Sequence, residues 1–174
     1  ALVGAGAERA VAGAGQHADP LVRIDVEQRL TRLDAAVQVS AAAMAAEAIG
    51  KVTGRPGICF VTRGPGATNA SAGIHIARQD SSPLIVFVGQ VGRHMREREA
   101  FQELDYRAVF GSIAKWAVEI DDPARIPELV SRAFHTACSG RPGPVVIALP
   151  EDMLVERAVV PDASAFEPVE IWPG

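Results

Sequence analysis

From Ser40 onward the chain alternates between helical stretches and short unbroken apolar runs. Ser40-Ala-Ala-Ala-Met-Ala-Ala-Glu-Ala-Ile-Gly-Lys-Val52 predicts a helix, because alanine is the best helix former and Ser40 suits an N-cap. Gly54-Arg-Pro-Gly57 breaks it, and Ile58-Cys-Phe-Val-Thr62 reads as a buried strand. The turn Gly64-Pro-Gly66 leads into a helix over 67–78, and residues 83–89 form a second buried strand. Residues 90–107 are polar and charged, which predicts a loop with a short helix starting near Phe101. Residues 116–120 form the third strand. Asp121-Asp122-Pro123 opens a helix reaching about Ser139, and residues 145–149 are the last strand. Strands alternating with helices predict an α/β fold, a parallel sheet flanked by helices.

The first 39 residues follow the pattern less clearly. Residues 1–15 are rich in alanine and glycine with weak helical period, 21–26 alternate like a strand, and 26–36 suit an amphipathic helix. After Val160 the chain is proline-rich, acidic and aperiodic. We expect one domain over 1–160, atypical over 1–39, and a linker over 161–174. A start without methionine and an end inside a linker read as a piece of something longer.

Composition narrows the choice. Hydrophobic residues are 48% and aromatics only 5%, against 30 alanines and 16 glycines, so the core is built from small aliphatics at close range. A net charge of −4 argues against a nucleic-acid binder or a polybasic membrane ligand. No apolar run reaches the roughly 18 residues a bilayer needs. Cys59 and Cys138 stand alone without metal-type spacing, which points to a reducing compartment and the cytoplasm. Only Lys51 and Lys115 among 17 basic residues are lysines, a bias that fits GC-rich coding DNA.

Two segments carry candidate chemistry. Thr62-Arg-Gly-Pro-Gly-Ala-Thr-Asn69 joins a strand to a helix through glycines that let a ligand approach the backbone. An ordinary βα turn has the same form. The segment is not a dinucleotide fingerprint, which needs glycine at Asn69, and it lacks the Lys-Ser/Thr of a P-loop. Phe101-Gln-Glu-Leu-Asp105 follows the charged stretch 93–99 and suits a substrate mouth, or else a solvated loop. His75 and His135 lie in small or apolar stretches that suit structural histidines, His94 sits among arginines, and His17 falls in the unclear segment. No catalytic Ser/His/Asp order and no metal-ligand set stands out.

Six motifs occur in one order: Thr62 to Asn69, Asp80-Ser-Ser-Pro-Leu84, Gly89-Gln-Val91, Ala100-Phe-Gln-Glu-Leu-Asp105, Ala114-Lys115 and Ser139-Gly-Arg-Pro-Gly-Pro-Val145. Together they resemble the N-terminal, pyrimidine-binding domain of thiamine-diphosphate enzymes, acetolactate synthase above all, over residues 40–155. The resemblance implies a Rossmann-like three-layer fold. It also implies thiamine diphosphate as cofactor, with the diphosphate and Mg²⁺ held by a domain of a partner subunit that is absent here, and FAD possible in a central domain. The substrate would be a 2-oxo acid, and the parent a homodimer or homotetramer. Carried over, Gly64, Pro65, Gly66 and Asn69 shape the cofactor wall, Phe101 and Gln102 face the reacting carbon and substrate, and Lys115 falls in the substrate region. Arg63 replaces the commoner serine, which leaves substrate preference open.

One position departs from the family. Such enzymes place a glutamate just before the alanine-rich helix, where it bonds the pyrimidine ring and starts a proton relay. Aligning on Ser40 puts Val39 there, preceded by Val37 and Gln38, and Glu47 lies two helical turns on. The family's Gly-x-Pro-Gly loop is replaced by Ala10-Val-Ala-Gly-Ala-Gly-Gln16. Either residues 10–39 diverged, as in glyoxylate carboligase with its valine at this position, or they are read in a shifted frame. The residues also leave room for a catalytically inactive interaction module and for a stand-alone nucleotide binder.

Overall fold

A computed structural model of the chain describes residues 20–160, with side chains from Val37 onward. Expectations for residues 1–19 and for the linker over 161–174 lie outside the described residues. The chain divides into two compact units, 1–35 and 36–174, and the sheet belongs to the second.

Helix α1 runs over Pro20–Thr53. Residues 21–26 are therefore helical and not a strand: their short alternation yields to the helix-favouring sequence that follows, and Pro20 suits a first turn. Ser40 is consequently in mid-helix and does not cap a helix start. Strand β1 is Gly57–Val61, followed by the short helix α2 over Pro65–Asn69 and α3 over Ser71–Asp80. The single helix expected over 67–78 is thus broken at Ala70, the shared cap of the two. Strand β2 is Leu84–Gln90, α4 is Tyr106–Phe110, β3 is Trp116–Glu119, α5 is Ile126–Cys138 and β4 is Pro144–Pro150. The helix expected near Phe101 starts five residues later. Gln102 holds a left-handed φ of 66°, and the Asp105 carboxylate caps α4 by accepting from the N–H groups of Arg107 and Ala108.

The four described strands are all parallel, in the order β1-β2-β4-β3. Alternation along β2 and β4 divides the core into two layers, one on each face of the sheet. Leu84, Val86, Val88, Val146 and Ala148 pack with Ala43 and Ala46 of α1, Ile74 and Ala77 of α3, and Phe110 of α4. Ile85, Phe87, Val145 and Ile147 pack with Leu129, Ala133 and Ala137 of α5. Each fully buried valine, leucine or isoleucine contributes on the order of 1.5–3 kcal/mol of burial.

Helix α1 approaches closely because its contacts are small. A Cβ on Gly57 would come 1.7 Å from the Ala46 carbonyl oxygen, and one on Gly73 would come 2.7 Å from Ala43. Strand β1 is less buried than its apolar run predicts. Cys59 faces the core, but Ile58 and Phe60 are exposed, and the Phe60 ring stacks on Phe87 with centroids 4.6 Å apart. β1 has one neighbour among the described strands, so its outer face lacks the cover that α5 gives the others.

Candidate functional site

Parallel sheets take ligands in the crevice outside the carboxyl ends of their strands. At that end β1 runs into the turn of Gly64, Pro65 and Gly66. Gly64 is buried with φ 57° and ψ −111°, a backbone state that L residues avoid. A Cβ there would lie 2.7 Å from Gln102 Cβ, so the turn and the Phe101–Gln102 segment meet backbone to backbone. Gly66 is also buried, and a Cβ on it would lie 2.6 Å from the Thr62 methyl. Pro65 is exposed and opens α2, which ends at the half-buried Asn69.

Ser40 Oγ donates to the Asn69 carbonyl at 2.7 Å. Val39 is half-buried against the core cluster that holds Ala67 and Ala70. The structure brings Gly64, Pro65, Gly66, Asn69 and Gln102 together on one wall, while Val39 packs against the core cluster. Phe101 lies beside them but is 78% exposed.

The loop bearing Gln102 is tied down at several points. The buried Gln90 donates from Nε2 to the Leu104 carbonyl at 2.8 Å and accepts from the Val91 N–H at 3.0 Å. The Glu103 carboxylate accepts from the N–H groups of Glu97 and Ala100 at 2.7 and 3.1 Å. Tyr106 reaches back under the turn: its hydroxyl accepts from the Gly64 N–H at 2.9 Å and donates to the Gly89 carbonyl at 3.1 Å.

Two cavities open at this end of the sheet. One, of about 320 Å³, lies among Arg63, Gly89, Gln90, Gln102 and Glu151, with Arg63 and Glu151 paired at 2.7 Å across it. The other, of about 440 Å³, lies among Gln90, Glu103, Tyr106, Arg107 and Asp121, and holds the ion pair of Arg96 with Glu119. Sequence reading gave Gln90, Tyr106 and Glu119 no role. A glutamine that directly follows an apolar strand was the available signal for the first.

Lys115 is not brought to this wall. It precedes β3, at the amino end of the sheet, and its ammonium donates to the Thr136 and Ser139 carbonyls at the end of α5, the latter at 2.7 Å. Burial lowers its pKa. Arg141 does the same for α3, donating to the Gln79 carbonyl at 3.0 Å and to Ser81 Oγ at 2.8 Å, where Ser81 holds a left-handed φ of 58°. His75 and His135 face solvent and are not core histidines. His94 is exposed as expected, and His17 lies outside the described residues. Among the described residues no group of three His, Cys, Asp or Glu side chains could hold a metal ion, and no helix is long and apolar enough to cross a membrane.

A family model described as "Thiamine pyrophosphate enzyme, N-terminal TPP binding domain" matches residues 1–109. The chain belongs to this family. This N-terminal domain is similar to several acetolactate synthases. Identity is 46% over 65% of the chain to the mitochondrial acetolactate synthase of Schizosaccharomyces pombe, covering 17% of that protein. It is 44% over 75% of the chain to the large subunit from Parasynechococcus marenigrum, covering 21%. It is 43% over 78% of the chain to the probable large subunit from Methanocaldococcus jannaschii, covering 22%. The chain spans about a fifth of the length of these relatives.

At the turn Gly64 and Gly66 carry no side chain, and the Cβ each lacks would meet Gln102 or the Thr62 methyl. Val39, which neither donates nor accepts a hydrogen bond, is half-buried. The buried carboxylate on α1, Glu47, accepts from Ser82 Oγ at 2.6 Å just before β2, at the opposite end of the sheet.

Proposed function

We propose that this domain holds the aminopyrimidine half of thiamine diphosphate in an acetolactate-synthase-like enzyme acting on 2-oxo acids. The observation that carries the reading is the wall formed where Gly64 meets Gln102. When bound, the cofactor supplies a carbon that adds to a carbonyl and takes up negative charge. Gly64, Pro65, Gly66 and Asn69 form the backing of the ring, Gln102 stands at its edge, and Phe101 covers the substrate side. Val39 offers the ring an apolar contact. Lys115 is assigned to capping α5.

In the same proposal residues 1–160 are the pyrimidine domain and 161–174 lead to a central domain that can carry FAD. The diphosphate and Mg²⁺ are held by a domain of a second subunit, in a homodimer or homotetramer. The buried thiols Cys59 and Cys138, with pKa values raised by burial, suit the cytoplasm.

A second reading rests on the half-buried Val39. The domain is then either catalytically inactive or works without that carboxylate, as a glyoxylate-carboligase-like enzyme does. Translating the coding DNA of residues 10–39 in the other frames separates the two readings: a His-Glu before Ser40 supports the first.

Calorimetry on the full chain tests the binding claim. The aminopyrimidine fragment 4-amino-5-hydroxymethyl-2-methylpyrimidine should bind at about millimolar strength. Thiamine diphosphate with Mg²⁺ should bind no more tightly, because the described residues hold no group that could bind the metal at its charged end. Micromolar binding of the diphosphate would refute that division of the site.

A further inference from the structure

We infer that Tyr106 is the positioning residue of the pyrimidine wall, an inference that rests on the function proposed above. It is the single tyrosine of the chain and is 4% exposed. Its ring sits in the core cluster and stacks on Phe110 at 6.2 Å, on a helix whose start is fixed by the Asp105 cap. From that anchored ring the hydroxyl bridges the buried Gly64 N–H and the Gly89 carbonyl. Those groups belong to the turn after β1 and to the last residues of β2.

Both partners are backbone groups, so the bridge fixes a peptide plane. The Gly64 N–H is held inward by the phenol while its α-carbon is backed by Gln102. With these two constraints the chain leaves β1 in one direction only, and Pro65, Gly66 and Asn69 follow. Gln102 lies four residues before Tyr106 in the loop whose Leu104 carbonyl is held by Gln90. One phenol thus sets the spacing between the backing of the ring and its edge. Phenylalanine would keep the packing but leave the Gly64 N–H without this buried acceptor.

Nuclear magnetic resonance on the full chain and its Tyr106→Phe variant tests this. Amide exchange at Gly64 should quicken about tenfold or more in the variant, with exchange at Val86 and Ile147 in the sheet unchanged. Affinity for 4-amino-5-hydroxymethyl-2-methylpyrimidine should fall about three- to tenfold, the range for one lost hydrogen bond. In the parent chain the Tyr106 Cζ resonance should shift with the same midpoint as the Gly64 amide as this probe is added. A phenol that only stabilised the fold would not report the probe.

Unchanged Gly64 exchange overturns the inference. So does unchanged probe affinity in a variant that exchanges faster, and that result leaves the pyrimidine site standing. No probe binding by the parent chain removes the site itself and the inference with it. Should the variant melt far below the parent, the Cζ titration of the parent decides alone.

Discussion

Ser40 Oγ donates to the main-chain carbonyl of Asn69 at 2.7 Å, across 29 residues of sequence. A serine inside a helix commonly turns back to its own i−4 carbonyl. Here it reaches outward to the last residue of α2 and fastens the helix to the turn. Val39, the residue before it, packs against the core cluster that includes Ala67 and Ala70.

That placement makes Val39→Glu informative. The new carboxylate should titrate above the ordinary glutamate range, because it would be half-buried. At a pH above its pKa it should strengthen binding of the aminopyrimidine fragment about tenfold, the lower range for a hydrogen bond to a charged group. Titration of the variant from pH 5 to pH 8, about the span over which a raised carboxyl ionises, checks both. Equal affinity in the two proteins would show that residue 39 does not face the ring.

The three loop glycines should differ in their tolerance. Gly64→Ala places a side chain at positive φ and against Gln102, and Gly66→Val drives branched atoms into the Thr62 methyl. Each should cost about 1–3 kcal/mol. Gly92 is buried, but its φ is ordinary, and a Cβ would crowd the exposed His94 ring at 2.9 Å, which can swing away, and touch Asp152 at an ordinary 3.7 Å. Thermal melts at about 2–4 °C per kcal/mol should rank Gly92→Val mildest. Equal losses would refute the turn geometry.

Asp152 links pH to stability. The Arg93 N–H and then the Arg93 guanidinium lower its pKa from 3.8 to about 2. The folded pKa lies below the unfolded one, so its contribution is complete above pH 3.8 and is lost as pH falls through about 2. Denaturation of the parent and Asp152→Asn should differ at pH 5 and converge near pH 2. A gap that stays constant with pH would contradict the Arg93 pairing.

Lys115→Met should lower stability by about 1 kcal/mol through loss of the α5 cap, and should leave binding of the aminopyrimidine fragment unchanged. Calorimetry and melting on one preparation give both numbers. Weaker probe binding would return Lys115 to the site.

The strands were legible because buried parallel strands are unbroken apolar runs, and each observed strand lies within a residue or so of its run. What was hidden depends on distant partners. Ser40 has the chemistry of a cap, and only the continuation of α1 through it, with Asn69 as its acceptor, shows otherwise. The bond of Tyr106 to Gly64 spans 42 residues, and no local periodicity reports such a pair. Asp105 was a readable N-cap, but Phe101 drew attention because aromatics mark mouths, and the positive φ of Gln102 has no sequence signal. Lys115 was read as a motif member, and its hydrogen-bond partners depend on where α5 ends, which no local pattern reports.

The two cations that close α5 and α3, Lys115 and Arg141, both sit at the amino end of the sheet, away from the Gly64 wall. The ends of α5 and α3 are thus fastened at the rim opposite the Gly64 turn. Loosening either cation should free a helix end while the contact of Gly64 with Gln102 stays in place.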